Sequence, residues 1–120
     1  LSLDVDFLHC VSAYPVPTEH LNLGMIRHFG LQGFSDHSGD VRAGGWAVLA
    51  GAKYLEVHFK TPETDPANPD AGPHALLPDQ LAGYIQRADE AAMILGDKTC
   101  CEDERHWIPA EAAMEKYVVW

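Results

Sequence analysis

Basic residues are scarce in this chain. Eight Lys+Arg stand against 18 Asp+Glu, a formal net charge of −10 at pH 7. That balance argues against a nucleic-acid phosphate backbone or an anionic membrane as partner. Cysteine is rarer still: three residues, two of them adjacent as Cys100-Cys101, give no disulfide framework. A reducing, cytoplasmic compartment is the simplest reading. No run of about 18 apolar residues occurs, so no transmembrane helix is expected. The N-terminus also lacks the basic and apolar regions of a secretory signal peptide. It opens on Leu1 rather than Met and runs straight into strand-like sequence, which reads as a fragment or a trimmed parent.

What is present is an ordinary globular composition, 47% hydrophobic and 22% charged over 120 residues, enough for one domain with a core. Val5 to Val11 is an apolar run of strand length that ends in Tyr14-Pro15-Val16-Pro17, where the prolines stop it. Thr18 suits an N-cap, and Asn22, Met25, Ile26 and Phe29 form a helical stripe that closes at Gly30. Leu31 to Asp36 is the second strand. Asp40 then caps a helix carrying Val41, Ala47, Val48 and Leu49 and ending at Gly51. Gly44 and Gly45 within it each cost about 1 kcal/mol of helix propensity relative to Ala, which close packing against a neighbouring strand would explain.

Lys53 to Phe59 is the third strand, and Thr61 to Leu77 reads as a long proline-rich loop. Pro78 opens a strong helix in which Leu81, Tyr84, Ile85, Ala88, Ala92 and Leu95 follow the 3.6 period to Gly96. The fold class is therefore α/β, a parallel β-α-β-α-β-α segment. Residues 1–96 carry these units, and 97–120 form a tail with a short amphipathic helix between Pro109 and Val118.

The chemistry gathers around Gly33-Phe34-Ser35-Asp36-His37-Ser38 and His58, 21 residues beyond His37. Both histidines fall at the C-terminal ends of strands joined by one helix, the face on which parallel α/β folds bind ligands. Side chains alternate along a strand, so Ser35 shares a face with His37, and Glu56 with His58. Ser12 and Tyr14 point the same way just beyond strand one. Two imidazoles are too few for a closed tetrahedral zinc site, and with several waters they suit an open Mn²⁺- or Mg²⁺-like ion able to polarise a carbonyl. Simpler roles stand beside these: a strand-end His in an ordinary hydrogen bond, Ser35 as a helix cap, Tyr14 as loop packing. His9, His20, His28 and His106 read as surface or core residues.

The segments His9-Cys10-Val11-Ser12-Ala13-Tyr14-Pro15-Val16-Pro17, Asn22-Leu23, Ile26, Gly33 to Ser38, Gly51-Ala52 and Glu56-Val57-His58-Phe59 resemble, in order, motifs of the sialic acid synthase family. The resemblance spans residues 5 to 96. It implies the last three units of a TIM-type (β/α)8 barrel, which in the complete parent precedes an antifreeze-like domain in a swapped homodimer. The implied reaction condenses phosphoenolpyruvate with an N-acylated amino-hexose, such as N-acetylmannosamine, to give a nonulosonic acid. The implied cofactor is a divalent metal, Mn²⁺ first, with Mg²⁺ or Co²⁺ as alternatives.

Carried over by position, His37 and His58 are the metal ligands and Ser35 holds the phosphate of phosphoenolpyruvate. Ser12 stands where bacterial synthases have a phosphate-binding Asn. Tyr14 lies near the acceptor's N-acyl group. Glu56 is the acid of a Glu-Lys-His-Phe motif in which Val57 replaces Lys. Pro69-Asp70 resembles a Pro-Asp-His sugar contact, with Ala71 in place of the His and His74 the nearest histidine, so Asp70 is the sugar-binding candidate. The 120-residue stretch alone is expected to be inactive, and to be poorly stable or to associate. Two other classes fit less well: a metal-dependent barrel hydrolase, which a carbamylated Lys or a third His on another strand would mark, and a non-catalytic barrel remnant.

Overall fold

The computed structural model describes residues 4–96. Three short parallel strands are laid down in chain order: β1 (Leu8–Cys10), β2 (Gly33–Asp36) and β3 (Tyr54–Val57). The helices α1 (Gly24–Phe29), α2 (Ala43–Leu49) and α3 (Pro78–Leu95) follow them in turn, and two 3-10 turns, Thr18–His20 and Pro69–Ala71, lie between. The expected β-α-β-α-β-α order is therefore observed, with a parallel sheet. The tail helix expected between Pro109 and Val118 lies outside the described residues.

The strands are shorter than their apolar runs. Register pairs Cys10 with Ser35 and Ser35 with Glu56, while His9, Phe34 and Leu55 form the adjacent row. Alternation sends these two rows to opposite faces. Phe34, fully buried, joins Ile26, Ala43, Ala47 and Tyr84 in the core beneath the helices. On β3, Leu55 and Val57 are half-buried against that core, whereas Tyr54 and Glu56 are exposed on the other face. The sheet thus has one covered side and one open side, and the open side carries the chemistry.

Helix starts depart from expectation. Thr18 begins a 3-10 turn without a side-chain cap, and α1 opens only at Gly24. Gly30 closes α1 in the left-handed region at φ 64°, a conformation that suits a residue without Cβ. Asp40 acts three residues ahead of α2: its carboxylate accepts from the Arg42 N–H at 2.9 Å and from the Arg42 guanidinium at 2.7 Å. That guanidinium holds the Asp40 carboxyl below the usual carboxylate range. On α3, Gln80 Oε1 accepts from the Leu77 N–H at 2.9 Å, and Tyr84 and Ala91 are its buried residues. Ile85 and Leu95, expected in the buried stripe, are about half exposed.

Gly44 and Gly45 pack against a helix, not a strand. A Cβ at Gly44 would lie 2.5 Å from Tyr84 Cε1, and one at Gly45 3.0 Å from the Arg87 carbonyl oxygen. The missing side chains let α2 and α3 approach closely, at the expense of helix propensity. The Tyr84 hydroxyl is buried there without a formed hydrogen bond, facing Asp36. Burial raises the pKa of both groups, and the Asp36 carboxyl also accepts from Ser38 N–H at 2.8 Å.

The proline-rich stretch from Thr61 to Leu77 is more than a loop. Leu76 N–H donates to the His58 carbonyl at 2.9 Å, and Lys60 N–H donates to the Leu76 carbonyl at 3.0 Å. These bonds close a parallel bridge between Phe59 and Leu76, and Ala75 and Leu76 are buried. The chain therefore returns beside the end of β3 as a fourth strand-like position. Lys60 Nζ anchors the return by donating to the carbonyls of Ala71 at 3.2 Å and Gly72 at 2.6 Å.

Candidate functional site

Residue 37 follows β2 directly, and residue 58 follows β3, so in-register strands deliver both imidazoles to one rim. Their ring centroids are 5.0 Å apart at an interplanar angle of 63°. His37 is buried. Its Nδ1 lies 2.9 Å from the Val11 carbonyl oxygen, which can only accept, so the proton is assigned to Nδ1 and the Nε2 lone pair is free. Ser35 Oγ lies 3.3 Å from that Nε2 and can donate to it. Cys10 Sγ sits 3.7 Å from Nδ1, which completes the wall on the β1 side.

His58 is oriented in the same way by a different partner. Asp70 Oδ1 lies 2.6 Å from its Nδ1, so the carboxylate accepts that proton and the Nε2 lone pair is left for a ligand. A carboxylate behind an imidazole is the arrangement that fixes the tautomer of a metal-binding histidine and makes it more basic. Asp70 is set by its own turn, where Asn68 Oδ1 accepts from the Asp70 N–H at 2.8 Å. The sugar contact expected of Asp70 is thus shared with a bond to His58. Its side chain remains 47% exposed, leaving the second oxygen free.

Tyr14 roofs the cluster. Its loop is tied to the end of β2 by the Val16 N–H, which donates to the His37 carbonyl at 3.0 Å. The phenol ring stacks on His37 at 4.3 Å and meets His58 edge-on at 5.8 Å. Glu56 stands exposed in the row with Ser35 and Cys10. Ser12 is exposed beyond β1. Of the seven candidate residues, Tyr14, Ser35, His37, His58 and Asp70 are joined by direct contacts. Ser12 and Glu56 make no side-chain hydrogen bond with these five among the described residues.

One residue of the cluster has no role in the sequence reading, where it is only the histidine nearest Pro69-Asp70. His74 is 7% exposed, and its ring centroid lies 5.0 Å from that of His58 and 5.1 Å from that of Tyr14. One ligand atom each from His58, Asp70 and His74 falls within 4.8 Å of the others; His37 lies outside that tighter group. Burial, then the neighbouring His58, lowers the His74 pKa and favours the neutral ring. The signal that could have found it is Gly72-Pro73-His74, two residues beyond Asp70 and ahead of the buried Ala75-Leu76 pair.

The donor set fits a divalent ion. Two imidazole nitrogens carry free lone pairs, and a ring nitrogen about 2.1 Å from an ion puts its centroid about 3.2 Å away. Two rings about 90–110° apart around one ion then have centroids about 4.6–5.3 Å apart, which brackets the 5.0 Å separation of His37 and His58. No helix among the described residues is long and apolar enough to cross a membrane.

Comparison with known proteins gives the family of the chain. The spore coat polysaccharide biosynthesis protein SpsE of Bacillus subtilis is 37% identical over 101 residues, which cover 77% of this chain and 26% of that protein. A pseudaminic acid synthase of Campylobacter jejuni is 32% identical over 107 residues, 85% of this chain and 31% of the relative. The crystal structure of an N-acetylneuraminic acid (sialic acid) synthetase from Leptospira borgpetersenii superposes with a TM-score of 0.70 at 26% identity, covering 92% of this chain and 39% of that one. The chain thus spans about a quarter to a third of the length of these two curated relatives. The model of the NeuB family matches residues 2–100. On that match, the chain belongs to the NeuB family.

Proposed function

We propose that this chain is the C-terminal part of the catalytic barrel of a divalent-metal-dependent nonulosonic acid synthase. The substrates are phosphoenolpyruvate and an N-acylated amino-hexose of the N-acetylmannosamine kind. The observation that carries the reading is the convergence of His37 and His58, with centroids 5.0 Å apart, beside Ser35 and under Tyr14 in a chain of the NeuB family. The complete protein is proposed to be a cytoplasmic homodimer in which residues 1–96 supply the last three barrel units and 97–120 a tail.

Each residue has a physical task. His37 and His58 present Nε2 lone pairs and would hold the ion, Mn²⁺ first, with Mg²⁺ or Co²⁺ able to replace it. Bound there, a divalent ion supplies Lewis acidity towards the acceptor's aldehyde oxygen. Val11 and Asp70 hold the two rings in the ligating tautomer. Ser35 offers a hydroxyl to the phosphate of phosphoenolpyruvate, exchanging its contact with His37 for one with an anionic oxygen, and Ser12 offers a second. Tyr14 provides an apolar ring for the N-acyl group, and the free oxygen of Asp70 accepts from a sugar hydroxyl. Glu56, exposed on the same face, is the carboxyl group available for proton transfer. In the reaction, the enol carbon of phosphoenolpyruvate bonds to the aldehyde carbon, water adds at the phosphate-bearing carbon, and inorganic phosphate leaves.

His74 is the observation that favours a second reading, because a third histidine on another strand is what a metal-dependent barrel hydrolase would use. The family match and the intact Ser35-Asp36-His37-Ser38 segment weigh for the synthase. The deciding experiment follows phosphate release from phosphoenolpyruvate by the complete protein, with and without N-acetylmannosamine and Mn²⁺. Release that requires both, and formation of a nine-carbon acid, is expected. Release independent of any amino-sugar would overturn the synthase.

A further inference from the structure

We infer that His58, Asp70 and His74 form a second cation berth, preferring Zn²⁺-like ions, which competes with the His37–His58 berth for the imidazole they share. The inference concerns a different ion position from the one the synthase reading uses, and it does not depend on which reaction the complete protein performs.

The ligand atoms converge. One from each of the three residues lies within 4.8 Å of the other two, and His37 falls outside that group. The His58 nitrogen turned to the carboxylate is Nδ1, 2.6 Å from Asp70 Oδ1. On His74 it is Nε2, 3.9 Å from the same oxygen. Donors about 90–110° apart around one ion, at about 2.0–2.1 Å from it, lie about 2.8–3.4 Å from each other. The two separations straddle that range, so shifts of less than about 1 Å would seat an ion. The His58 and His74 ring centroids are 5.0 Å apart at an interplanar angle of 77°, the separation that two imidazoles on one ion require.

The backbone sets these groups in place. Asn68 Oδ1 accepts from the Asp70 N–H at 2.8 Å, and the bridge from Leu76 to His58 and Lys60 fixes the segment that carries His74. A Cβ at residue 72 would lie 2.7 Å from His74 Nδ1, so glycine lets that nitrogen rest against the turn and leaves Nε2 towards Asp70. The side chains of His58 and Asp70 are 28% and 47% exposed, which gives an ion and its waters a way in.

Two imidazoles and one carboxylate, with a further position for water, are the donor set of open zinc sites. Imidazole nitrogen and the general affinity order of divalent ions both favour Zn²⁺ and Co²⁺ over Mn²⁺ here.

The shared ring makes the two berths exclusive. A neutral imidazole carries one N–H and one lone pair. Asp70 holds the His58 proton on Nδ1, which frees Nε2 for the His37 side. When Zn²⁺ bonds to Nδ1, the proton moves to Nε2 and the ring loses none overall. His58 then has no lone pair left beside His37, so zinc closes the first berth from outside it.

The test uses the complete protein and Zn²⁺ alone, with long-range proton–nitrogen magnetic resonance of labelled histidines to report tautomers. Zinc should shift His58 Nδ1 and His74 Nε2, move the His58 proton to Nε2, and leave His37 protonated on Nδ1. By calorimetry, His74→Gln should lower zinc affinity more than about 100-fold, beyond the cost of losing an outer-shell partner, while His37→Ala leaves it unchanged. Shifts at Nε2 of His37 and His58 instead would overturn the inference and leave the His37–His58 site standing, even if His74→Gln failed to fold. Zinc affinity unchanged in His74→Gln, or lost in His37→Ala, would overturn it too. Zinc shifts at no histidine would overturn it and count against the His37–His58 site as well.

Discussion

Asp70 Oδ1 sits 2.6 Å from His58 Nδ1, a contact between two elements twelve residues apart that neither strand pairing nor helix packing provides. Under the proposed function, this contact makes a surface turn part of the metal-binding apparatus. Asp70→Ala should therefore weaken metal binding about 10–100-fold, the usual cost of losing a carboxylate behind a ligating imidazole. Metal titration by calorimetry checks this, and an affinity within twofold of native would remove Asp70 from that role.

His37→Ala and His58→Ala should each abolish most synthase activity in the complete protein, but their stabilities should differ. His37 is buried and bonded to the Val11 carbonyl, so its loss removes a buried hydrogen bond at about 0.5–1.5 kcal/mol, although that carbonyl keeps the Ala13 N–H at 2.9 Å. His58 is half-exposed, and its removal should disturb the melt less. Paired activity assays and chemical denaturation separate the two effects.

Ser35→Ala should raise the KM for phosphoenolpyruvate while metal affinity stays near native, because the hydroxyl approaches His37 without orienting it. The Nδ1 bond to Val11 does the orienting. Steady-state kinetics alongside metal titration test the split; loss of metal binding would assign the serine a different task.

Tyr84→Phe should change stability by no more than about 1 kcal/mol, since the hydroxyl it removes forms no well-shaped hydrogen bond yet faces the buried Asp36 carboxyl. Gly44→Ala should be clearly destabilising. The new methyl would meet the same ring at 2.5 Å, and overpacking of this kind costs about 1–3 kcal/mol. Urea melts of the two variants, together, test whether the α2–α3 contact is as tight as described.

The acid limb of stability carries the Asp40–Arg42 pair. The folded-state pKa of Asp40 is lowered below 3.8, chiefly by the Arg42 hydrogen bond, so its contribution is present above that value and fades as pH falls through the folded one. Arg42→Gln should lower stability slightly at neutral pH, with the deficit closing below pH 3.8. A deficit that grew on acidification would contradict the sign.

The order of strands and helices was legible because prolines and glycines punctuate it: Pro15 and Pro17 end the first strand, Gly30 closes α1, and Pro78 opens α3. The two-residue period likewise put Ser35 with His37 and Glu56 with His58. His74 was visible only as the histidine nearest Pro69-Asp70, and its place in the cluster was hidden for a physical reason. It reaches the site through one backbone bridge in a proline-rich segment, where neither a hydrophobic period nor a β-branched run announces a strand. The glycines of α2 were read as a close approach to a strand; the approach is there, but its partner is α3, which begins 33 residues downstream of Gly45 at Pro78 and so leaves no local signal.

The stitch between His58, Lys60 and Leu76 makes residues 61–68 a cassette. Both of its ends are clamped to each other, so the positions of His58 and His74 do not depend on how many residues lie between. Closure entropy grows only logarithmically, about 0.6 kcal/mol for each doubling of length. The rim of this site can therefore lengthen, shorten or change its side chains over evolutionary time while the imidazoles stay where they are.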